Sequence, residues 1–200
     1  MKKIIVSTLV LCIITLVAGM ALATVYEVTK EPIAEAEAQA VARAYQAVFP
    51  EATAFVEQTL SDVTLEGDSR VDKAVLAQTQ DSVLGYVLMV TSPNGYGGNI
   101  TIAMGVTPDG ALTGVSIISQ SETAGLGAKC EDDKFTSQFA GITGDKVEYT
   151  KTQPTADNQI QAISGATVTT SAVVDAVNTG LSYVKTVYFD VANVAGGDNT

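Results

Sequence analysis

Residues 82–119 read SVLGYVLMVTSPNGYGGNITIAMGVTPDGALTGVSIIS, and this stretch decides the fold. Three runs rich in β-branched and apolar residues, at 82–92, 100–107 and 112–119, are separated by Pro93-Asn94-Gly95-Tyr96-Gly97-Gly98-Asn99 and by Pro108-Asp109-Gly110. Turn-forming residues at hairpin spacing predict an antiparallel meander. A single sheet needs its apolar face covered, so the expected class is α+β, with an antiparallel sheet and flanking helices.

Outward toward the C-terminus, EDDKFTSQFAG at 131–141 predicts a helix, and VEYTK at 147–151 and QIQAIS at 159–164 predict strands. SAVVDAVNTGLSYVKTVYF, residues 171–189, places Val173, Val174, Val177, Leu181, Val184 and Tyr188 along one helical face. Residues 191–200, with Gly196-Gly197-Asp198-Asn199, predict a flexible tail. Outward toward the N-terminus, EATAFVEQTLSDVTLEGDSR at 51–70 is compatible with a short helix or a strand, with a turn at Glu66-Gly67-Asp68. EPIAEAEAQAVARAYQAVFP at 31–50 predicts a helix opened by Pro32, with acids near its start, and ended by Pro50.

The first 23 residues are a separate object. Met1-Lys2-Lys3 precedes IIVSTLVLCIITLVAGMALA, twenty residues without a charge, which matches the roughly 20 residues a helix needs to cross a bilayer core. Two lysines before it and an acidic excess after it predict an N-terminus in the cytoplasm and a remainder outside. Ala21-Leu22-Ala23 also resembles a signal-peptidase site, but the apolar run is long for a secretory signal, so an uncleaved anchor is the expectation.

Composition excludes several functions. Beyond the first 23 residues, nine Lys and Arg stand against all 22 Asp and Glu, a formal charge of −13. Nucleic-acid binding calls for the opposite sign; an acidic surface serves solubility. No histidine and two cysteines, Cys12 in the apolar run and Cys130 beyond it, cannot assemble a zinc, haem or iron–sulfur centre or a histidine-assisted nucleophile. The two thiols lie on different sides of the membrane boundary, so no disulfide between them is expected.

Between the last strand and the long helix lies QAISGATVTT, residues 161–170. Free backbone N–H groups and the positive end of a helix dipole meet at such a junction, a ready phosphate site. Gly165 and Ala166 leave room for a ligand, and Ser164, Thr167, Thr169, Thr170 and Ser171 carry hydroxyls. An ordinary Ser/Thr helix cap is the competing reading, worth about 1 kcal/mol and needing no ligand. Ser121-Glu122-Thr123-Ala124-Gly125-Leu126-Gly127-Ala128-Lys129 follows the third strand of the meander directly, and Gly125 and Gly127 allow backbone to approach a flat or phosphorylated ligand.

SGAT ahead of a helix, SETAGLGAK after LTGVSIIS and NGYGG between strands, behind one apolar N-terminal helix, together resemble RnfG, the FMN-binding subunit of the Rnf ion-translocating electron-transport complex. The resemblance runs from about Gly85 to about Val187, plus the anchor. The related flavin-bearing subunit of the sodium-pumping NADH:quinone reductase shares the pattern.

What the resemblance implies is an FMN-binding domain over residues 85–190, preceded by a transmembrane anchor at 1–23 and a helical linking part at 24–84. It further implies FMN attached covalently through its phosphate to the hydroxyl of Thr167, a phosphoester that a flavin transferase makes from FAD. Ser164, Gly165, Ala166 and Thr170 would surround the phosphate, with Glu122, Thr123, Gly125, Leu126, Gly127, Lys129 and Tyr96 around the ring. Lys129, if close, would favour the reduced flavin by charge attraction. The chain would be an electron relay rather than the catalytic component, held in the bilayer with the other membrane subunits of a complex coupling ferredoxin and NAD redox chemistry to Na⁺ or H⁺ movement. A free-standing flavin carrier and a cofactor-free anchored binding module are the alternatives. One departure stands out: Gln161 occupies the position six before Thr167 where the family has aspartate, and Asp157 is four residues out of register. Gln161 keeps a hydrogen bond and loses a charge.

Overall fold

The computed structural model describes residues 2–61 and 63–189, so the expected tail at 191–200 lies outside the described residues. The chain divides into two compact units, one up to Ala40 and one from Val41. Helix α1 spans Lys2–Val48 and carries Pro32 inside it. The expected helix start at Pro32 is therefore not observed. No breaker lies between the apolar run and that residue, and a proline ring removes one backbone donor without ending a helix that is well formed on both sides.

Within the first unit, α1 is long and apolar enough to cross a membrane. Thr8, Thr15, Thr24 and Thr29 each turn their hydroxyl back onto a carbonyl four residues earlier, at 2.8–3.0 Å. A hydroxyl satisfied on its own helix presents no unpaired donor to hydrocarbon.

The second unit is built on a five-stranded antiparallel sheet in which each strand pairs with its sequence neighbour. Its first strand, β1 (Ala54–Gln58), resolves the ambiguous stretch as strand, and β2 (Arg70–Gln78) bridges it to the meander. Strands β3 (Val83–Ser92), β4 (Ile100–Val106) and β5 (Leu112–Ser119) are the three predicted from hairpin spacing. Asp72 and Lys73 interrupt the apolar alternation of β2, and a register shift sits at that point.

Both faces of the sheet are covered, which is why β3 reads as a nearly continuous apolar run. On one face Leu88, Val90, Ile102 and Met104 pack with Val173, Val177, Leu181 and Val184 of the long C-terminal helix, Thr167–Val184, which is α3. On the other, Val75, Val87 and Ala103 pack with Ala44, Tyr45, Val48 and Phe49 at the end of α1. That end is fixed by Thr113, whose Oγ1 donates to the Val48 carbonyl at 2.6 Å, and by Gln46, whose Nε2 donates to the Pro50 carbonyl at 2.7 Å. Phe49 lies over two glycines on neighbouring strands: a Cβ at Gly85 or Gly105 would fall 2.7 or 2.9 Å from its ring.

The predicted helix at 131–141 is broken. A 3-10 turn at Gly127–Glu131, a single α-turn α2 (Asp133–Thr136) and another 3-10 turn at Ser137–Phe139 replace it. Asp132 and Ala140 both adopt extended backbone, and the 3.6-residue signal came from Phe135 and Phe139, whose rings meet edge to face at 5.5 Å. Strands β6 (Glu148–Thr150) and β7 (Gln159–Gln161) form as predicted, and pair in parallel in a small sheet of their own. Helix α3 ends at Val184, and Lys185–Phe189 widen into a π-turn. Tyr188, predicted on the α3 stripe, is half-buried there and stacks on Tyr86 at 4.0 Å.

Candidate functional site

Strand β7 delivers the chain into the turn that precedes α3. Gln138 clamps the outer edge of this strand, its Oε1 accepting from the Gln161 N–H at 2.7 Å and its Nε2 donating to the Gln161 carbonyl at 3.4 Å. Gly165 takes φ +78°, a conformation glycine adopts freely, and the Ala166 N–H returns to the Ile163 carbonyl at 3.0 Å. Thr170, fully buried, pins the turn from inside: its Oγ1 accepts from the Ile163 N–H at 3.1 Å and donates to the Ala166 carbonyl at 3.0 Å.

The cap position of α3 belongs to Ala166, which has no side-chain donor or acceptor, and no side chain caps the helix. The Ser/Thr cap considered from the sequence is therefore not formed. The hydroxyls after Ala166 are occupied elsewhere or left over. Thr169 donates to Glu122, Thr170 holds the turn, and Thr167, half-buried, has no hydrogen-bond partner among the described residues. Thr167, Val168 and Thr169 line a cavity of about 580 Å³ together with Gly165 and Ala166.

The opposite wall comes from the segment after β5. Glu122, Thr123, Leu126 and Gly127 line the same cavity, and so does Tyr96, 76% exposed at the β3–β4 hairpin. Glu122 is only 8% exposed. Its carboxylate joins three parts of the chain, accepting from the Gly97 N–H at 2.7 Å and from the Thr169 hydroxyl. Glycines make the seat: a Cβ at Gly127 would lie 2.6 Å from both Glu122 Oε2 and Thr169 Oγ1, and one at Gly95 would lie 2.9 Å from Glu122 Oε1. Behind it, Gln120 accepts from the Glu122 N–H and donates to Glu131 Oε1 at 3.0 Å.

Of the residues expected from the sequence, Tyr96, Glu122, Thr123, Leu126, Gly127, Gly165, Ala166 and Thr167 come together around this cavity. Ser164 and Lys129 instead line a neighbouring groove of about 450 Å³ with Asp132, Lys134, Gln138 and Gln161. Gly125, with φ +78°, shapes the turn outside the lining, and Thr170 is buried behind it. Val168 completes the lining without having been singled out, and Thr169, expected among the hydroxyls of the turn, lines it as well. The pairing of Thr169 with Glu122 spans 47 residues, a distance that carries no spacing signal, whereas Val168, an apolar side chain in a run of hydroxyls and exposed in the fold, was a usable one. Cys130 is fully buried beside this wall; burial, with help from Glu131, Glu122 and Asp132, pushes its thiol up to about 12.

Comparison with known proteins converges on the same region. Residues 95–182 match the FMN-binding domain family, and residues 1–48, ending where α1 ends, match the RnfG N-terminal region. The G subunit of the Na⁺-translocating ferredoxin:NAD⁺ oxidoreductase complex of Acetobacterium woodii is 34% identical over 180 residues, covering 85% of this chain and 86% of that one. The G subunit of the ion-translocating oxidoreductase complex of Methanosarcina acetivorans is 31% identical, covering 86% and 90%. In fold, the crystal structure of Shewanella oneidensis NqrC superposes with a TM-score of 0.53 at 18% identity, covering 69% of this chain and 70% of that one. Matched at 31–34% identity over at least 85% of both chains, and carrying an FMN-binding domain behind an RnfG N-terminal region, the chain belongs to the RnfG family of ion-translocating oxidoreductase complexes.

Proposed function

We propose that the chain is a membrane-anchored flavoprotein carrying FMN covalently on Thr167 and relaying electrons in an Rnf-type complex, where ferredoxin and NAD redox chemistry is coupled to Na⁺ or H⁺ movement. The observation that carries this reading is the start of α3: a helix with no side-chain cap, opening with an unengaged threonine hydroxyl at the mouth of a cavity of about 580 Å³. The residues present fit the group. Backbone N–H groups in the first turn of α3 suit a phosphate, Gly165 and Ala166 leave space for it, and Leu126, Val168 and Tyr96 offer apolar surface to a flat ring.

When bound, FMN supplies the redox chemistry; the protein holds, orients and shields it. Thr167 would serve once, in maturation: its hydroxyl oxygen displaces AMP from the FMN phosphorus of FAD, its proton leaving to a base supplied by a flavin transferase. Thereafter Thr167 would tether the group, the first turn of α3 would offset the remaining phosphate charge, and residues 122–127 would shield it from water. Helix α1 holds the domain at the bilayer, with other membrane subunits as partners and the flavin domain on the outer side.

Thr167→Val is close in volume at a partly exposed position, so the variant folds and loses its flavin. Flavin fluorescence on a denaturing gel, with the intact mass of the full-length chain, checks this. A Val variant that still fluoresces refutes attachment at Thr167 and moves it to another hydroxyl of the turn.

A further inference from the structure

Among the described residues, the cavity at the start of α3 has one charged residue in its lining, Glu122. The lysine that the sequence places near the ring lies in the neighbouring groove with Asp132 and Lys134. The carboxylate is not a surface group that happens to face inward. It is 8% exposed, held by the Gly97 N–H and the Thr169 hydroxyl, and seated where side chains at Gly95 or Gly127 would collide with it.

We propose that Glu122 is the electrostatic determinant of the flavin's reduction potential, holding it low; the inference rests on the flavin reading above and concerns the ring's redox balance, not its attachment. Two-electron reduction adds two electrons and one or two protons to the isoalloxazine and raises its electron density. A fixed negative charge in the wall, away from bulk water, disfavours that state relative to the oxidised ring, and salt screens it little. Two donors stabilise the charge without removing it, and among the described residues no cation lines the cavity to offset it. The expected influence of Lys129 is thereby reversed in sign: the charged residue in the lining is an anion, and Lys129 lines the neighbouring groove.

The test is a potentiometric titration of the full-length, flavin-loaded protein in detergent, with dithionite as reductant and a dye of known potential as reference. Glu122→Gln removes the charge and keeps both hydrogen-bonding positions, its carbonyl for Gly97 and its amide for Thr169. The reduction equilibrium should shift toward the reduced flavin by tenfold or more, about 30 mV for a two-electron couple, and the shift should persist in 1 M salt. Glu122→Asp should retain a low potential, and Lys129→Gln should leave it unchanged. An unchanged potential in a loaded Gln variant overturns the inference, as does a fall in potential in Lys129→Gln. Should the Gln variant not fold, Thr169→Val keeps the charge and strips one donor; the potential should then move lower, and a rise overturns the inference. A wild-type chain without flavin refutes the functional reading and this inference together, whereas a loaded chain indifferent to Glu122 refutes this inference alone.

Discussion

Cys130 sits at no exposed surface, and its thiol, raised to about 12, stays protonated in the folded protein where an unfolded thiol, near 8.5, would ionise. The folded state therefore keeps a proton that the unfolded state has given up. The stabilisation is complete below the unfolded value and is lost as pH rises from there through about 12. Between pH 8 and 10 this one group should cost about 1–2 kcal/mol of stability. Urea unfolding of wild type and Cys130→Ala over that range measures it: the Ala variant should lose stability less steeply, and parallel slopes would show that the thiol is not desolvated. At this scale the site was partly legible. Thr167, Glu122 and Gly127 were recognisable from short motifs, because glycine and hydroxyl spacing within a turn survives in the sequence. Lys129 was misplaced because the 3-10 turn from Gly127 to Glu131 carries it to the neighbouring groove, and no periodicity announces so short a turn.

Helix α3 lies close against the sheet at Gly180, where a Cβ would collide with Met104 Sδ and come within 3.3 Å of Leu88 Cδ1. Two effects oppose one another in Gly180→Ala. Helix propensity favours alanine by about 1 kcal/mol, while overfilling a packed interior costs about 1–3 kcal/mol. Met104 and Leu88 are both fully buried, so neither can swing into solvent. The collision should win, and Gly180→Ala should lower the midpoint of thermal unfolding; a rise would show that the α3 interface can relax. The elements themselves were legible in proportion to their regularity. Three strands at hairpin spacing and a long apolar stripe pointed to the meander and α3, whereas β2 was hidden by Asp72 and Lys73. A pair of phenylalanines four apart imitated a helix that Asp132 and Ala140 interrupt.

For the whole molecule, the charge distribution predicts orientation. Lys2 and Lys3 precede the apolar run, and all the acids follow it. With the N-terminus inside, residues beyond the anchor should be cleaved by protease added outside intact protoplasts, and an impermeant amine label should reach Lys151. Protection of the domain in intact protoplasts, with cleavage only after lysis, would reverse the orientation and place the flavin on the cytoplasmic side. Continuity of α1 through Pro32 was not legible, because proline is both a common first residue of helices and an occasional tenant of their interiors, and the local sequence is the same in either case.

The bonds of Glu122 also set an order of events. Its carboxylate reaches back 25 residues to Gly97 and forward 47 to Thr169. During synthesis the hairpin and the meander can form while α3 is still inside the ribosome, but the wall has no helix to close against until Thr169 has emerged. The cavity is therefore among the last features to assemble, and a chain that stalls or is clipped before α3 has neither the threonine nor the shape around it. Maturation that depends on this folded turn would act as a proofreading step, loading cofactor only onto chains in which α3 has been made and packed.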